Sequence, residues 1–85
     1  MRSQLTIESQ NSPELLERLL RVVRHRGFNV QTLQAETTNN EQSLHLSLTV
    51  YSKREISLLT KQLEKIFGVT QVTLLAQQAM IKASA

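Results

Sequence analysis

The chain has 85 residues, with ten lysines and arginines against seven acidic residues, and a formal net charge of +3. A chain of this length forms one domain that buries roughly 60–65% of its unfolded surface, which is too little for a deep catalytic cleft. The absence of cysteine excludes disulfides and thiolate metal sites, and no apolar run approaches the roughly 18 residues of a membrane span, so we expect a cytoplasmic protein.

The first two predicted elements are a strand and a helix. Residues 4–9 alternate between apolar and polar, as a half-buried strand does. A helix is predicted to follow. Asn11 and Ser12 can accept hydrogen bonds from the free N–H groups at its start, and Gly27 can adopt the left-handed backbone conformation that ends many helices. The helix face predicted to be buried carries Leu15, Leu16, Leu19, Leu20 and Val23, with Val22 at its edge. The opposite face carries two predicted ion pairs, Glu14–Arg18 and Glu17–Arg21.

Two strands joined by a hairpin are predicted next. In residues 29–36 the step from Val30 to Leu33 breaks the alternation and predicts a bulge between them. The polar residues 37–42 predict the turn. Residues 43–51 alternate most regularly of all, so they predict a strand whose inward residues are Leu44, Leu46, Leu48 and Val50.

A second helix and a fourth strand complete the predicted domain. Ser52 and Glu55 match a capping box, in which each side chain satisfies the backbone donor of the other residue. The buried face of this helix is predicted to carry Ile56, Leu59, Leu63, Ile66 and Phe67, before a stop at Gly68. In the strand at 69–77 the predicted inward residues are Val72 and Leu74. The domain is thus predicted to cover 1–77, and residues 78–85 a loose tail.

The predicted order of elements is β-α-β-β-α-β. Two right-handed β-α-β crossovers joined by a hairpin make an α+β, ferredoxin-like fold. In this fold a four-stranded antiparallel sheet carries both helices on one face, and its first and third strands are central. The other face is left for solvent or a partner.

The side chains of the predicted open face do not favour nucleic acid binding or catalysis. Tyr51, at a strand end, is a single aromatic residue and a poor platform for stacking bases. His25 lies near a helix end, where a cation complements the dipole, and His45 lies on a strand face, where contact with a partner is the simpler role. No serine, carboxylate or lysine has an evident activating partner, so we predict that the chain is not an enzyme and holds no metal.

Four arginines on the first predicted helix have two interpretations. They are Arg18, Arg21, Arg24 and Arg26. One interpretation is a solvated face paired with Glu14 and Glu17. The other is docking onto an acidic patch of a larger protein through planar, charge-assisted contacts. The sequence leaves both open.

The segment from Asn11 to Val30 resembles a known family. Its pattern is an Asn-containing loop, then Leu16-Glu17-Arg18-Leu19, then Arg26-Gly27-Phe28-Asn29-Val30. This is similar to the ACT regulatory domain in small subunits of acetohydroxyacid synthase (acetolactate synthase). Residues 62–66, followed by Val69 and Val72, resemble the second helix and last strand of that family, so the likeness covers residues 4–76. Residues 21–28 look like the short, one-domain form of the subunit.

The resemblance implies a non-catalytic regulatory or activating subunit in branched-chain amino-acid biosynthesis. Its partner would be a large catalytic subunit that binds thiamine diphosphate, Mg²⁺ and FAD, while this chain binds no cofactor. ACT domains pair through sheet edges, which implies a homodimer with a continuous eight-stranded sheet. Carried over by position, the effector site would comprise Asn11, Ser12, Pro13, Glu14 and Leu15, with Asn29 and Val30 from the other protomer. A free-standing amino-acid sensor is the alternative that the same resemblance allows.

Glu14 departs from the pattern of the family. Valine-responsive members have glycine at this position, which lets backbone N–H groups approach the carboxylate of the effector. A glutamate there adds bulk and a like charge, and two like charges about 4 Å apart repel by about 1–4 kcal/mol, depending on the dielectric. An acid in the first helical turn also favours the helix dipole, and both effects can operate together. We therefore expect weak or absent valine feedback.

Overall fold

The computed structural model describes residues 1–78 and confirms the predicted order of elements. These are β1 (Arg2–Gln10), α1 (Pro13–His25), β2 (Asn29–Thr38), β3 (Ser43–Tyr51), α2 (Ile56–Glu64) and β4 (Val69–Gln78). Because β4 includes Gln78, the strand extends one residue past the predicted end of the domain. The rest of the predicted tail, 79–85, lies outside the described residues. Neither helix in residues 1–78 is long and apolar enough to cross a membrane.

The four strands form one antiparallel sheet in the order β2-β3-β1-β4, so the first and third strands are central, as predicted. The pairing of β2 with β3 shifts between Val30 and Thr32, which confirms the predicted bulge. The pairing of β1 with β4 shifts twice, which leaves Leu75 and Thr70 without a partner on β1. Each edge strand therefore carries at least one local irregularity.

Both helices cover one face of the sheet and enclose an aliphatic core. Leu5, Ile7, Leu46 and Leu48 of the central strands are at most 2% exposed. The helices contribute Leu15, Leu19, Val23, Ile56, Leu59 and Leu63, and all of these side chains belong to one buried cluster. Burying such a side chain contributes about 1.5–3 kcal/mol, so this layer is the main source of stability.

Two apolar residues that were predicted to be buried, Phe67 and Leu74, are exposed, and so is Val30, for which no burial was predicted. Phe67 is 81% exposed because α2 ends at Glu64, and the chain then leaves the helix before Phe67 reaches the buried face. Leu74 pairs with Leu5 and shares its face, yet it is 42% exposed because β4 is an edge strand. Val30, on the other edge strand, is 38% exposed for the same reason.

The predicted side-chain caps are absent from both helices. Ser12 is the N-cap of α1, but its carbonyl oxygen rather than its hydroxyl accepts backbone hydrogen bonds, from Leu15 and Leu16. The capping box is wrong, because the N-cap of α2 is Glu55. The Ser52 hydroxyl instead donates to the Gly27 carbonyl at 2.9 Å and accepts from the Arg54 backbone N–H at 3.0 Å.

The predicted ion pairs on α1 are also absent. Among residues 1–78 the one contact of ion-pair length joins His45 and Glu8 on the open face of the sheet. Glu14–Arg18 and Glu17–Arg21 do not approach within bonding distance, since all four side chains are exposed and gain little by holding one geometry. The guanidinium groups of α1 are therefore left available to a partner.

Candidate functional site

The loop between β1 and α1 is tied to two neighbouring turns. The Asn11 backbone N–H donates to the Gln42 carbonyl at 3.1 Å, and Asn11 Nδ2 donates to the Glu41 carbonyl at 2.9 Å. On the other side, the Gln10 N–H donates to the Gly68 carbonyl at 2.9 Å. The loop is therefore fixed between the β2–β3 hairpin and the turn that precedes β4.

Gly68 makes that second turn possible. Its φ of +99° lies in the left-handed region, which favours glycine. A Cβ at this position would lie 2.6 Å from Leu15 Cδ1 and would collide with the first turn of α1. Close packing of Gly68 on Leu15 thus holds the start of α1 against the sheet.

A shallow groove of about 160 Å³ opens beside the loop. Its lining residues are Gln10, Ser12, Glu14, Leu15, Arg18 and Phe67. Glu14 and Arg18 both face it as exposed, unpaired charges, while Leu15 is buried beneath them. A small-molecule site usually encloses roughly 300–1,000 Å³, so this groove alone is too small to enclose an effector. We name it the loop groove.

A second groove, of about 620 Å³, lies between α1 and β2. Its lining residues are Glu17, Leu20, Arg21, Arg24, Asn29, Val30 and Leu33. Leu20, Val30 and Leu33 supply apolar surface, and charged side chains of both signs surround it. We name it the edge groove, because β2 is an edge strand.

The structure places the two halves of the predicted effector site at opposite ends of α1. Asn11, Ser12, Pro13, Glu14 and Leu15 lie at the start of the helix, and Asn29 and Val30 follow its end. A 13-residue helix is roughly 20 Å long, so one chain does not bring the halves together. The resemblance implies that a second copy would bring the two halves into contact.

The four predicted docking arginines do not form one surface. Arg18 lines the loop groove, Arg21 and Arg24 line the edge groove, and Arg26 is the C-cap of α1. All four are exposed, and none belongs to an ion pair in the described part of the chain. Pairing with Glu14 and Glu17 is therefore wrong, whereas docking stays a prediction.

Two features of the surface were not predicted from the sequence. Phe67 projects beside the loop groove, because α2 is shorter than its apolar pattern suggests. Lys53 and Arg54 lie next to the end of α1, where the Arg54 side chain crosses Gly27. The proximity of Lys53 and Arg54 to the end of α1 depends on how the chain connects β3 to α2. No local pattern in the sequence predicts it.

The open face of the sheet contains one short polar contact. His45 Nδ1 lies 2.5 Å from Glu8 Oε2, and Glu8 on β1 is opposite His45 in the strand register. Glu36 on β2 is opposite His45 in the register of the other neighbouring strand. His45 forms no hydrogen bond with Ser47, which lines the same shallow pocket. In residues 1–78 no three metal-ligating side chains cluster.

Comparison with known proteins extends these observations. A family model for the ACT domain matches residues 11–72. The acetolactate synthase isozyme 2 small subunit of Escherichia coli strain K12 is 40% identical over 74 residues, which cover 87% of this chain and 85% of that protein. The match covers most of both chains, as expected for the short form of this subunit.

Solved structures of low identity share the fold. The ACT domain of a Chlorobium tepidum GTP pyrophosphokinase superposes with a TM-score of 0.75 at 17% identity and covers 88% of this chain and 97% of its own. A formyltetrahydrofolate deformylase from Burkholderia mallei gives 0.72 at 12% identity, over 87% of this chain and 27% of its own. These two likenesses confirm the ferredoxin-like architecture.

The contacts of Asn11 and Ser12 predict different responses to alanine. Asn11→Ala removes the Nδ2 bond to the Glu41 carbonyl and should lower the free energy of unfolding by about 1 kcal/mol. Ser12→Ala, its neighbour and control, should change it by less than about 0.5 kcal/mol, because the hydroxyl caps nothing. Urea denaturation of both variants measures this difference, and a larger loss for Ser12→Ala would contradict it.

Proposed function

The chain belongs to the ACT-domain family of acetolactate synthase small subunits, and from this we propose that it is a non-catalytic regulatory subunit of acetolactate synthase. The observation that carries the proposal is the 40% identity over 87% of this chain and 85% of the Escherichia coli relative. In this role the chain binds a large catalytic subunit, which holds thiamine diphosphate, Mg²⁺ and FAD and performs the chemistry of branched-chain amino-acid biosynthesis. The small subunit itself turns over no substrate.

Activation in this proposal is a shift in a conformational equilibrium. A small subunit that binds the active arrangement of the large subunit more tightly than the inactive one increases the active fraction. Exposed charges suit this task, because they can pair in one arrangement and be separated in the other. The unpaired arginines of α1 support this mode of action.

We propose further that two copies pair through the β2 edge. A twofold interface requires a self-complementary surface, and the edge groove has an apolar floor with Glu17 on its rim beside Arg21 and Arg24. The β4 edge suits pairing less well, because two bulges, at Thr70 and Leu75, disrupt its row of backbone groups, whereas β2 has one. A β2–β2 dimer therefore fits the described surface better than a β4–β4 dimer.

The effector loop is proposed to respond weakly or not at all to valine. Glu14 is exposed and lines the loop groove, which supports a role for its carboxylate in repelling the carboxylate of an effector. Arg18 lines the same groove without forming an ion pair with Glu14. Within the described residues the Glu14 carboxylate therefore forms no ion pair, although the positive charge of Arg18 lies in the same groove.

Reconstitution tests the main proposal. Addition of the purified chain to purified large subunit should raise acetolactate formation and saturate at a fixed ratio of subunits, while the chain alone should show no activity. The Chlorobium tepidum ACT domain, which shares only the fold, is the matched control and should have no effect. No rise with this chain, or an equal rise with the control, would refute the assignment.

The dimer is tested by placing a charge on each edge of the sheet in turn. Val30→Glu puts a carboxylate into the edge groove and should give monomers, because the charge would lose its solvation at the interface. Leu75→Glu, on the exposed β4 edge, is the control and should leave the dimer intact. Sedimentation equilibrium measures both, and dimerisation of the Val30→Glu protein would exclude the β2 edge.

Two substitutions at Glu14 separate the effects of charge and bulk. Calorimetry should detect weak or no valine binding by the natural chain. Glu14→Gln removes the charge, and Glu14→Gly removes both the charge and the side chain. Each variant should bind valine at least tenfold more tightly than the natural chain, and Glu14→Gly should bind it more tightly than Glu14→Gln. Strong valine binding by the natural chain would favour the alternative function, a free-standing amino-acid sensor.

A further inference from the structure

Basic residues from two distant segments meet at one end of the molecule. Arg24 and Arg26 lie at the end of α1, and Lys53 and Arg54 lie in the turn between β3 and α2. All four side chains are exposed in the single chain, and Glu55 is the one carboxylate in these two segments. Arg24 also lines the edge groove, so it lies where this surface meets the proposed dimer interface. We name this surface, formed by the four residues, the basic end.

Hydrogen bonds and packing fix the two segments against each other. The buried Ser52 donates from its hydroxyl to the Gly27 carbonyl at 2.9 Å, and accepts from the Arg54 N–H at 3.0 Å. The Arg54 side chain lies so close to Gly27 that an added Cβ there would be 2.9 Å from Nε. The backbone under the basic end is therefore set before any partner binds, which lowers the entropy that binding must remove.

The formal charge at this end equals the net charge of the chain. The basic end and Glu55 together carry a formal charge of +3, equal to that of the chain. The remaining six basic and six acidic residues cancel. A charge of one sign at one end of a small protein steers a partner of opposite charge and orients it before contact.

Local stability does not explain Lys53 and Arg54. Arg24, in the last turn of α1, is favoured by the dipole of its own helix. Lys53 and Arg54 instead precede the N-terminus of α2, where the dipole disfavours cations, and the one acid that adjoins them is the N-cap residue Glu55. Their position is unfavourable for the helix and favourable for an external anion.

We propose that the basic end binds an acidic segment on the surface of the large subunit, a proposal that rests on the function proposed above. Three of its four residues are arginines, whose planar guanidinium groups bind carboxylates through two parallel hydrogen bonds. Nucleic acid fits less well, because the nearby aromatic residues are not free to stack on bases: Phe28 is buried and Tyr51 is half-buried. The surface includes two of the predicted docking arginines and leaves out Arg18 and Arg21.

Charge reversal at matched sites tests this surface. In the double variant Lys53→Glu/Arg54→Glu, affinity for the purified large subunit should fall about tenfold or more, and its salt dependence should become weaker. The control, Lys61→Glu/Lys65→Glu, changes the net charge equally on exposed positions at and beyond the last turn of α2, and should stay within about twofold of the natural chain. Isothermal titration at several salt concentrations measures affinity, and circular dichroism checks folding.

Lys53→Glu alone provides a second variant, since Arg54 packs on Gly27 and its reversal could disturb the turn. It should weaken binding about threefold with an unchanged circular dichroism spectrum. Unaltered affinity in a folded variant, or an equal loss in the control, would overturn this docking surface and leave the proposed function intact. Failure of the natural chain to bind the large subunit would overturn both. If the natural chain is retained on single-stranded RNA, and the double variant Lys53→Glu/Arg54→Glu loses that retention but keeps its affinity for the large subunit, the surface binds nucleic acid instead.

Discussion

Burial of one face of β1 and β3 beneath the two helices is the constraint on which the rest of the molecule depends. Within the described residues, aliphatic packing stabilises the fold without a disulfide or a metal cluster. Apart from Leu15, which belongs to the core and also lines the loop groove, the side chains of the candidate surfaces lie outside this layer. The loop groove, the edge groove and the basic end are all at the periphery of the sheet, and the core holds them in place. That division suits a subunit that acts by contact rather than by catalysis.

Sequence periodicity predicted the centre of the fold well and its edges poorly. In β3 each inward residue is flanked by strands on both sides and covered by helices, so alternation and burial coincide. Leu74 has the same pattern, but lies on a strand with one open side. Phe67 follows the spacing of α2 into a stretch where the helix has already ended. Periodicity reports the direction of a side chain relative to its own element, whereas burial also requires a neighbour to cover it.

The candidate site shows a similar limit. The sequence predicted the loop at Asn11, the position of Asn29 and the helix between them, but not the grooves that these residues line. Ser52 is the clearest case of tertiary structure overriding a local motif, because its hydroxyl bonds to Gly27 rather than to the start of α2. The same bond brings Lys53 and Arg54 to the end of α1. A surface made from two turns on different crossovers has no signature in either turn alone.

The two hydrogen bonds of Asn11 join the first loop to the far end of the edge strand. Its partners, the carbonyl groups of Glu41 and Gln42, belong to the turn that connects β2 with β3. A molecule that displaces the loop must either break these bonds or move the hairpin with it. A displacement of the loop is therefore transmitted through a single residue, Asn11, to the turn at the end of β2. That turn adjoins the edge strand through which we propose that two copies pair.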